Sequence, residues 1–265
     1  MNDLVSIVIA GFNYGRYLPE AIESALNQSY KEIEVIYIDD GSTDDSLEIA
    51  RRYPITVLAE ENQWVAAARN NAVEFAKGKF IFFLDADDLL QPQAIEHCLQ
   101  LMTDSPLEVG YIYGQMEYFE YKQGLFPSRE FSPKELGRSN YICVSSLFRR
   151  DVFVEAGGFD KGLVEGREDW ELYVRLYHRG FQGRLLAEPL IRCRKHRPPK
   201  KKFINTSKNM AGAKLFYKYP KFFWRSFMKR PFKYLFYLSF CSIGSKVNHY
   251  GPNRDRLPRQ IGGPA

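Results

Sequence analysis

Three short apolar runs limit how this chain can fold. Leu4–Ala10, Ile33–Ile38 and Phe80–Leu84 are each long enough for one buried strand. Each stops at a polar turn: Gly11-Phe12-Asn13, Asp39-Asp40-Gly41 and Asp85-Ala86-Asp87-Asp88. Between them, apolar residues recur at helical spacing. Leu18, Ile22, Ala25 and Leu26 mark one helix; Val65, Ala68, Ala72 and Phe75 mark another over about Gln63–Lys77, which Gly78 ends. Ser42 or Thr43 is expected to cap a helix running to about Tyr53, followed by a short strand at Ile55–Leu58. Strands and helices alternating at this spacing specify an α/β fold with a mostly parallel sheet, right-handed crossovers and flanking helices. Ligands of such sheets bind beyond the carboxyl ends of the strands, so all three polar turns are expected to face one crevice.

The third turn is the most demanding, because Asp85, Asp87 and Asp88 lie within four positions. Carboxylates that close repel unless water, a cation or a helix N-terminus offsets them. One reading is a solvated acidic turn in which Asp88 caps the helix that starts at Gln91-Pro92. The other is a site for Mg²⁺ or Mn²⁺, cations that prefer carboxylate, water and phosphate oxygens, with Asp85 and Asp87 at alternate positions past the strand end. Asp39-Asp40-Gly41-Ser42 divides in the same way, into a capped turn or a nucleoside contact in which Asp40 accepts from a base or ribose.

The second half is less regular. Strands are expected at Val109–Phe119 and Tyr141–Phe148, a loop over Gly124–Gly137, and a turn at Gly157-Gly158-Phe159-Asp160. A helix is expected over Asp169–Arg179, with Trp170, Tyr173, Val174 and Tyr177 on its buried stripe, and an extended segment over Leu185–Arg194.

The composition, 45% apolar and 15% aromatic, is that of a globular protein. No apolar run approaches the ~20 residues that span a bilayer, and the N-terminus lacks the basic-then-apolar layout of a leader. Cys98, Cys143, Cys193 and Cys241 show no zinc-site spacing and read as reduced thiols of a cytoplasmic protein. Charge is sharply divided. Residues 1–188 carry 18 Lys/Arg against 31 Asp/Glu, whereas residues 189–265 carry 19 Lys/Arg against the single acid Asp255. After Lys200-Lys201-Lys202, aromatic and basic residues interleave as far as Lys233-Tyr234. That is the composition of a helix lying on an anionic membrane surface, here the inner face of the cell membrane; the alternative is a helical cap packed on the core. Nucleic acid is disfavoured as a partner, because no recognition module is present. The expected division is a catalytic domain at 1–197, a basic aromatic extension at 198–247 and a loose tail at 248–265.

Several of these segments form a pattern in order: Val5–Asn13, Asp39–Asp44, Asn62 with Ala67-Ala68-Arg69-Asn70, Leu84–Asp88, Gly157–Asp160 and Glu168-Asp169. Together they resemble a family 2 glycosyltransferase of the GT-A fold across roughly residues 4–197. The resemblance implies inverting transfer of a sugar from a nucleotide-diphosphate donor, foremost a UDP-sugar, with Mn²⁺ or Mg²⁺. The implied acceptor is a hydroxyl of a glycan or lipid-linked molecule in cell-envelope polysaccharide synthesis. It also implies that Ala10, Phe12, Asp40 and Arg69 hold the nucleoside, with Arg69 able to pair with diphosphate, and that Asp85 holds ribose or water. Asp87 becomes the metal contact, joined by His196, while Arg194 or Lys195 reaches the diphosphate. Asp169 becomes the base that takes the acceptor proton, Glu168 its supporting acid, and Trp170 a ring for stacking on the acceptor sugar.

The chain departs from the family pattern at Ala10-Gly11, where Pro-Thr is usual, and at Gln63-Trp64, where a glycine is usual. It departs again after His196, where Pro198-Pro199 and three lysines replace small hydroxyl residues. Two other classes compete: a sugar-phosphate nucleotidyltransferase, for which Gly11–Arg16 supplies only Arg16 as a basic phosphate-loop residue, and a non-catalytic nucleotide-sugar-binding protein.

Overall fold

Strand β1 (Val5–Gly11) lies between β2 (Ile33–Asp39) and β4 (Phe80–Asp85), parallel to both. Both faces of these strands are covered, which explains their unbroken apolar runs. Successive side chains alternate across the sheet. Ile81 and Phe83 enter one core layer, while Phe80, Phe82 and Leu84 enter the other. Crossover helices α1 (Leu18–Leu26) and α3 (Val65–Phe75) follow β1 and β3 (Thr56–Ala59). This computed structural model describes residues 3–126, 128–164, 166–197, 206–229 and 259–261.

Among the described residues, ten strands form one mixed sheet in the order β10-β3-β2-β1-β4-β8-β6-β9-β5, with β7 (Gly124–Leu125) paired to β6 (Val109–Glu120). Strand β8 (Leu147–Arg149) runs antiparallel to β4 and β6. The long β9 (Gln182–Lys195) is parallel to β6 and carries the chain back to the crevice, where β5 (Leu89–Leu90) pairs with it. The α/β fold, mostly parallel sheet and flanking helices follow the sequence expectation.

Three local expectations need correction. Helix α2 is only Ser46–Ala50, because Ser42 and Thr43 are used elsewhere. The Ser42 hydroxyl accepts from the Asn13 N–H at 2.9 Å, and the Thr43 N–H donates to Asn13 Oδ1 at 2.7 Å. Asp44 serves the helix start instead, accepting from the Ser46 N–H at 3.0 Å. Tyr141–Ser146 is not strand. The Cys143 carbonyl accepts from Tyr173 Oη at 2.6 Å and Ser146 Oγ at 2.7 Å, so side chains take the place of a ladder partner. Within Gly124–Gly137 a one-turn helix α5 (Pro133–Leu136) forms, opened by Ser132 and Pro133.

The remaining helices are α4 (Ala94–Thr103), α6 (Arg150–Glu155), α7 (Glu168–His178), α8 (Thr206–Lys218) and α9 (Pro220–Lys229). Of the two expectations for the basic extension, its described part is a cap on the core. Leu215 and Phe223 are buried, and Phe223 meets Trp170 edge-on at 5.6 Å. Lys218 bridges Asp160 at 2.9 Å and the fully buried Glu171 at 2.6 Å. No described helix is long and apolar enough to cross a membrane. Strand β10 (Arg259–Ile261) pairs antiparallel with β3, so that piece of the expected loose tail is an edge strand. Residues 198–205, 230–258 and 262–265 lie outside the described residues.

Candidate active site

The register places Ala10 beside Asp85 on one side and Ile38 on the other, with Gly11 beside Asp39. The three strand ends therefore open into one cleft of about 690 Å³, walled by Ala10, Phe12, Asp40, Trp64, Arg69 and Asp87 among others. Asp39 is structural, accepting from Tyr37 Oη at 3.0 Å and from the Ser42 N–H at 2.9 Å. Asp40 is buried and accepts the Gln63 N–H at 2.6 Å, which ties the β2 turn to the start of α3. Burial raises its carboxyl to about 6, against hydrogen bonds from Gln63 and Trp64 that lower it. Gly41 between them needs its lack of a side chain: its φ is +80° and a Cβ would stand 2.8 Å from the Asn62 nitrogen.

Arg69 is the hub. Its buried guanidinium donates to Asp85 Oδ1 at 2.6 Å and to Glu168 Oε1 at 2.8 Å, and lies 5.5 Å from the Phe159 ring centre. Next to it, Asn70 clamps the glycine turn. Its Nδ2 donates to the Phe159 carbonyl and its Oδ1 accepts the Phe159 N–H, both at 2.8 Å. Ala67-Ala68-Arg69-Asn70 and Gly157–Asp160, far apart in sequence, are thus the two halves of one joint, and Arg69 brings the Glu168-Asp169 pair to the edge of the cleft.

Asp169 is half-buried at the first turn of α7, accepting from Asn140 Nδ2 at 2.8 Å. Burial, then the charge of Glu168, pushes its carboxyl up to about 7, outweighing the hydrogen bonds from Trp170 and Asn140 and the charge of Arg69. A carboxylate poised there suits general-base work near neutrality. Asn140 carried no signal in the sequence; it directly precedes Tyr141–Phe148, the stretch that reads as a strand.

The acidic turn resolves into separate partnerships. Asp85 faces Arg69, and Asp87 Oδ2 meets His196 Nε2 at 2.7 Å. Burial raises the Asp87 carboxyl, with His196 pulling the other way. Asp88 does not cap the next helix. It is buried and accepts the Arg194 N–H at 2.7 Å, joining the β4 turn to β9, with its carboxyl pushed up to about 8 by burial and by Asp85 and Asp87. The donor set of Asp87 carboxylate and His196 imidazole fits a dication such as Mn²⁺ or Mg²⁺ whose remaining positions are filled by water and phosphate oxygens. Among the described residues, no cluster of three or more His, Cys, Asp or Glu forms a cage built from protein alone.

Two residues expected to touch ligand are engaged by the protein itself. Arg194 lines the cleft, but its guanidinium is taken up by protein groups. Nε donates to the Asp87 carbonyl at 2.9 Å, Nη2 pairs with Glu20 at 3.1 Å, Nη1 pairs with Glu120, and the rings of Tyr17 and Phe119 both lie 4.6 Å away. Trp170 is not offered to a sugar either: it is buried, and its indole N–H donates to the Leu136 carbonyl at 2.8 Å. Lys195, the alternative to Arg194 for the diphosphate, lines the cleft, and so does Tyr14, which the sequence did not single out. The Tyr14 hydroxyl is pushed up to about 12 by burial and the neighbouring aspartates.

With this geometry in hand, the profile described as Glycosyl transferase family 2 matches residues 6–157. The chain belongs to that family. The matched span runs from β1 to the end of α6, so it includes the acidic turn and Arg69 but stops short of Glu168-Asp169 and His196. A chondroitin synthase from Escherichia coli is 41% identical over 182 residues, 65% of this chain, yet this chain spans only 26% of that relative. The UDP-Glc:alpha-D-GlcNAc-diphosphoundecaprenol beta-1,3-glucosyltransferase WfaP, also from Escherichia coli, is 29% identical over 188 residues, covering 69% of this chain and 73% of that one. The mannosyltransferase PcManGT from Pyrobaculum calidifontis, solved with GDP-Man and Mn²⁺, superposes with a TM-score of 0.64 at 17% identity. It covers 94% of this chain and 76% of its own. That likeness shows the shared GT-A fold.

The Arg69 bracket gives a direct test. Arg69→Ala leaves Asp85 and Glu168 without their counter-charge and is expected to lower stability by about 3 kcal/mol in urea denaturation. Arg69→Lys is expected to recover less than half, since one ammonium cannot fork between two carboxylates. An unchanged midpoint in Arg69→Ala would show that the bracket carries no stability.

Proposed function

We propose that this family 2 member transfers a hexose, with inversion, from a UDP-sugar to a hydroxyl of a glycan or lipid-linked acceptor in cell-envelope polysaccharide synthesis. The observation that carries the reading is the Arg69 fork. It holds an acid of the donor cleft, Asp85, and the acid beside the proposed base, Glu168, on one guanidinium. In this reading Ala10, Phe12 and Asp40 receive the nucleoside, and Asp87 and His196 hold the Mn²⁺ or Mg²⁺. The cation supplies the positive charge that a departing nucleoside diphosphate needs. Asp169 takes the acceptor proton as the acceptor oxygen attacks the anomeric carbon from the face opposite the diphosphate. Asn140 fixes the direction of that carboxylate. Arg69, expected from the sequence to touch the nucleoside or diphosphate, acts in this reading by positioning Asp85 and Glu168, which occupy its buried guanidinium. WfaP supports a lipid-linked acceptor by its name, and the chondroitin synthase supports polysaccharide synthesis.

The same reading places the protein at the inner face of the cell membrane through residues 198–247. Tyr217, Trp224 and Met228 are exposed on the outer side of α8–α9, in the segment where basic residues prevail.

A nucleoside diphosphate with Mn²⁺ at 100 times its dissociation constant is expected to stabilise the fold by about 2.7 kcal/mol. A thermal-shift screen over the four bases checks this, and a flat response to all of them would overturn the donor site. Asp169 works as a base only when ionised. With its carboxyl near 7, kcat/KM is expected to fall about tenfold per pH unit below that value and to level off above it. Asp169→Asn is expected to lose about 10³-fold in turnover without losing stability; full turnover in that variant would remove Asp169 from the role. Flotation with anionic liposomes at low salt, lost at high salt, is the expected behaviour of the extension, and failure to float at low salt would leave it a cap and nothing more.

A further inference from the structure

Trp64 occupies a backbone conformation that has no use for a tryptophan. Its φ of 72° and ψ of 155° lie in a region that essentially only glycine visits without strain. The surrounding backbone holds it there. On one side the N–H groups of Gln63 and Trp64 are turned to the Asp40 carboxylate, Gln63 at 2.6 Å. On the other the Trp64 carbonyl accepts the Ala68 N–H at 3.0 Å as α3 begins. Asn62 lies close against Gly41, where a Cβ would stand 2.8 Å from its nitrogen. Core packing does not offset the strain, because the side chain is 52% exposed. It forms part of the cleft wall, as does Phe12 at 43% exposed, whereas the charged groups Asp87 and Lys195 belong to the same cleft.

We propose that Trp64 is a binding residue for the nucleoside end of the donor, its indole supplying a stacking face for the base. The inference rests on the donor-site reading above and adds a residue to it. A flat aromatic ligand is the chemistry that a half-exposed indole on a firmly held backbone recognises, and every nucleobase has a face to offer it. The phosphates gain at most one hydrogen bond from the ring, which carries no charge and has a single N–H donor. The strain is then the local cost of keeping that face over the cleft in the empty protein, so that little ordering is left for the moment of binding.

The test compares the full-length wild type with Trp64→Gly, Trp64→Ala and Trp64→Phe, titrated with Mn²⁺ and either the tightest of UDP, GDP, ADP and CDP or inorganic pyrophosphate. Trp64→Gly and Trp64→Ala are expected to bind the nucleoside diphosphate about tenfold more weakly and pyrophosphate within twofold of wild type. Trp64→Phe is expected to keep most of the nucleotide affinity. Trp64→Gly alone is expected to melt higher, by about 2 °C, because glycine accepts the conformation and alanine does not. Unchanged nucleotide affinity in both small variants, or an equal loss for pyrophosphate, would overturn the role. Failure of the wild type to bind any of the four nucleotides would instead bring down the donor-site reading, and this inference with it.

Discussion

One buried guanidinium holds the two halves of this molecule in working relation. Arg69 comes from the first half of the sheet, on the helix after β3, and it meets Asp85 at the end of β4 and Glu168 at the start of α7. Burying a cation is unfavourable unless opposite charges and hydrogen bonds surround it. Here two carboxylates and a phenyl face do so, and the three elements cannot separate without exposing all of them. The neighbouring Asn70 repeats the connection through backbone atoms of the glycine turn. The acid pair on α7 therefore inherits its position from residues about a hundred places earlier in the chain.

The acidic turn shows how a cluster of like charges is made tolerable. Its three carboxylates are distributed among a guanidinium from α3 and, from the end of β9, an imidazole and a backbone N–H. Only the middle one, Asp87, is paired with a group that can also bind a metal. Asp88, the most deeply placed, is spent on β9, and through β9 on the location of His196. The turn thus builds part of its own site.

The strands and crossover helices of residues 4–90 were legible because burial on both faces demands apolar runs and helices announce themselves by spacing. The convergence of Gly11, Asp39-Asp40 and Asp85 followed from topology alone. What failed were side chains with competing uses. Ser42 and Thr43 read as helix caps, but Asn13 claims them. Asp88 reads the same way, but a backbone amide more than a hundred residues distant claims it. Arg194 reads as a diphosphate contact, yet Glu20, Glu120 and two aromatic rings surround its guanidinium, partners that no local window contains. Tyr141–Ser146 has strand composition, but hydroxyl groups take the carbonyl that a ladder would need. Apart from Ser146, which is local to Cys143, the deciding partners are remote in sequence, and the period of the pattern carries no information about them.

The burial of Trp170 has a consequence for its neighbour. Its indole is pinned by a carbonyl from α5 and wedged against Phe223 of α9, so the residue cannot change rotamer without disturbing three helices. Asp169 is one peptide bond away. Its aim is thus fixed by packing that never touches a ligand, in the way a gunsight depends on its mounting. Tolerances of a fraction of an ångström at the carboxylate are set as far off as α9, where no alignment of acids in the cleft would lead one to look.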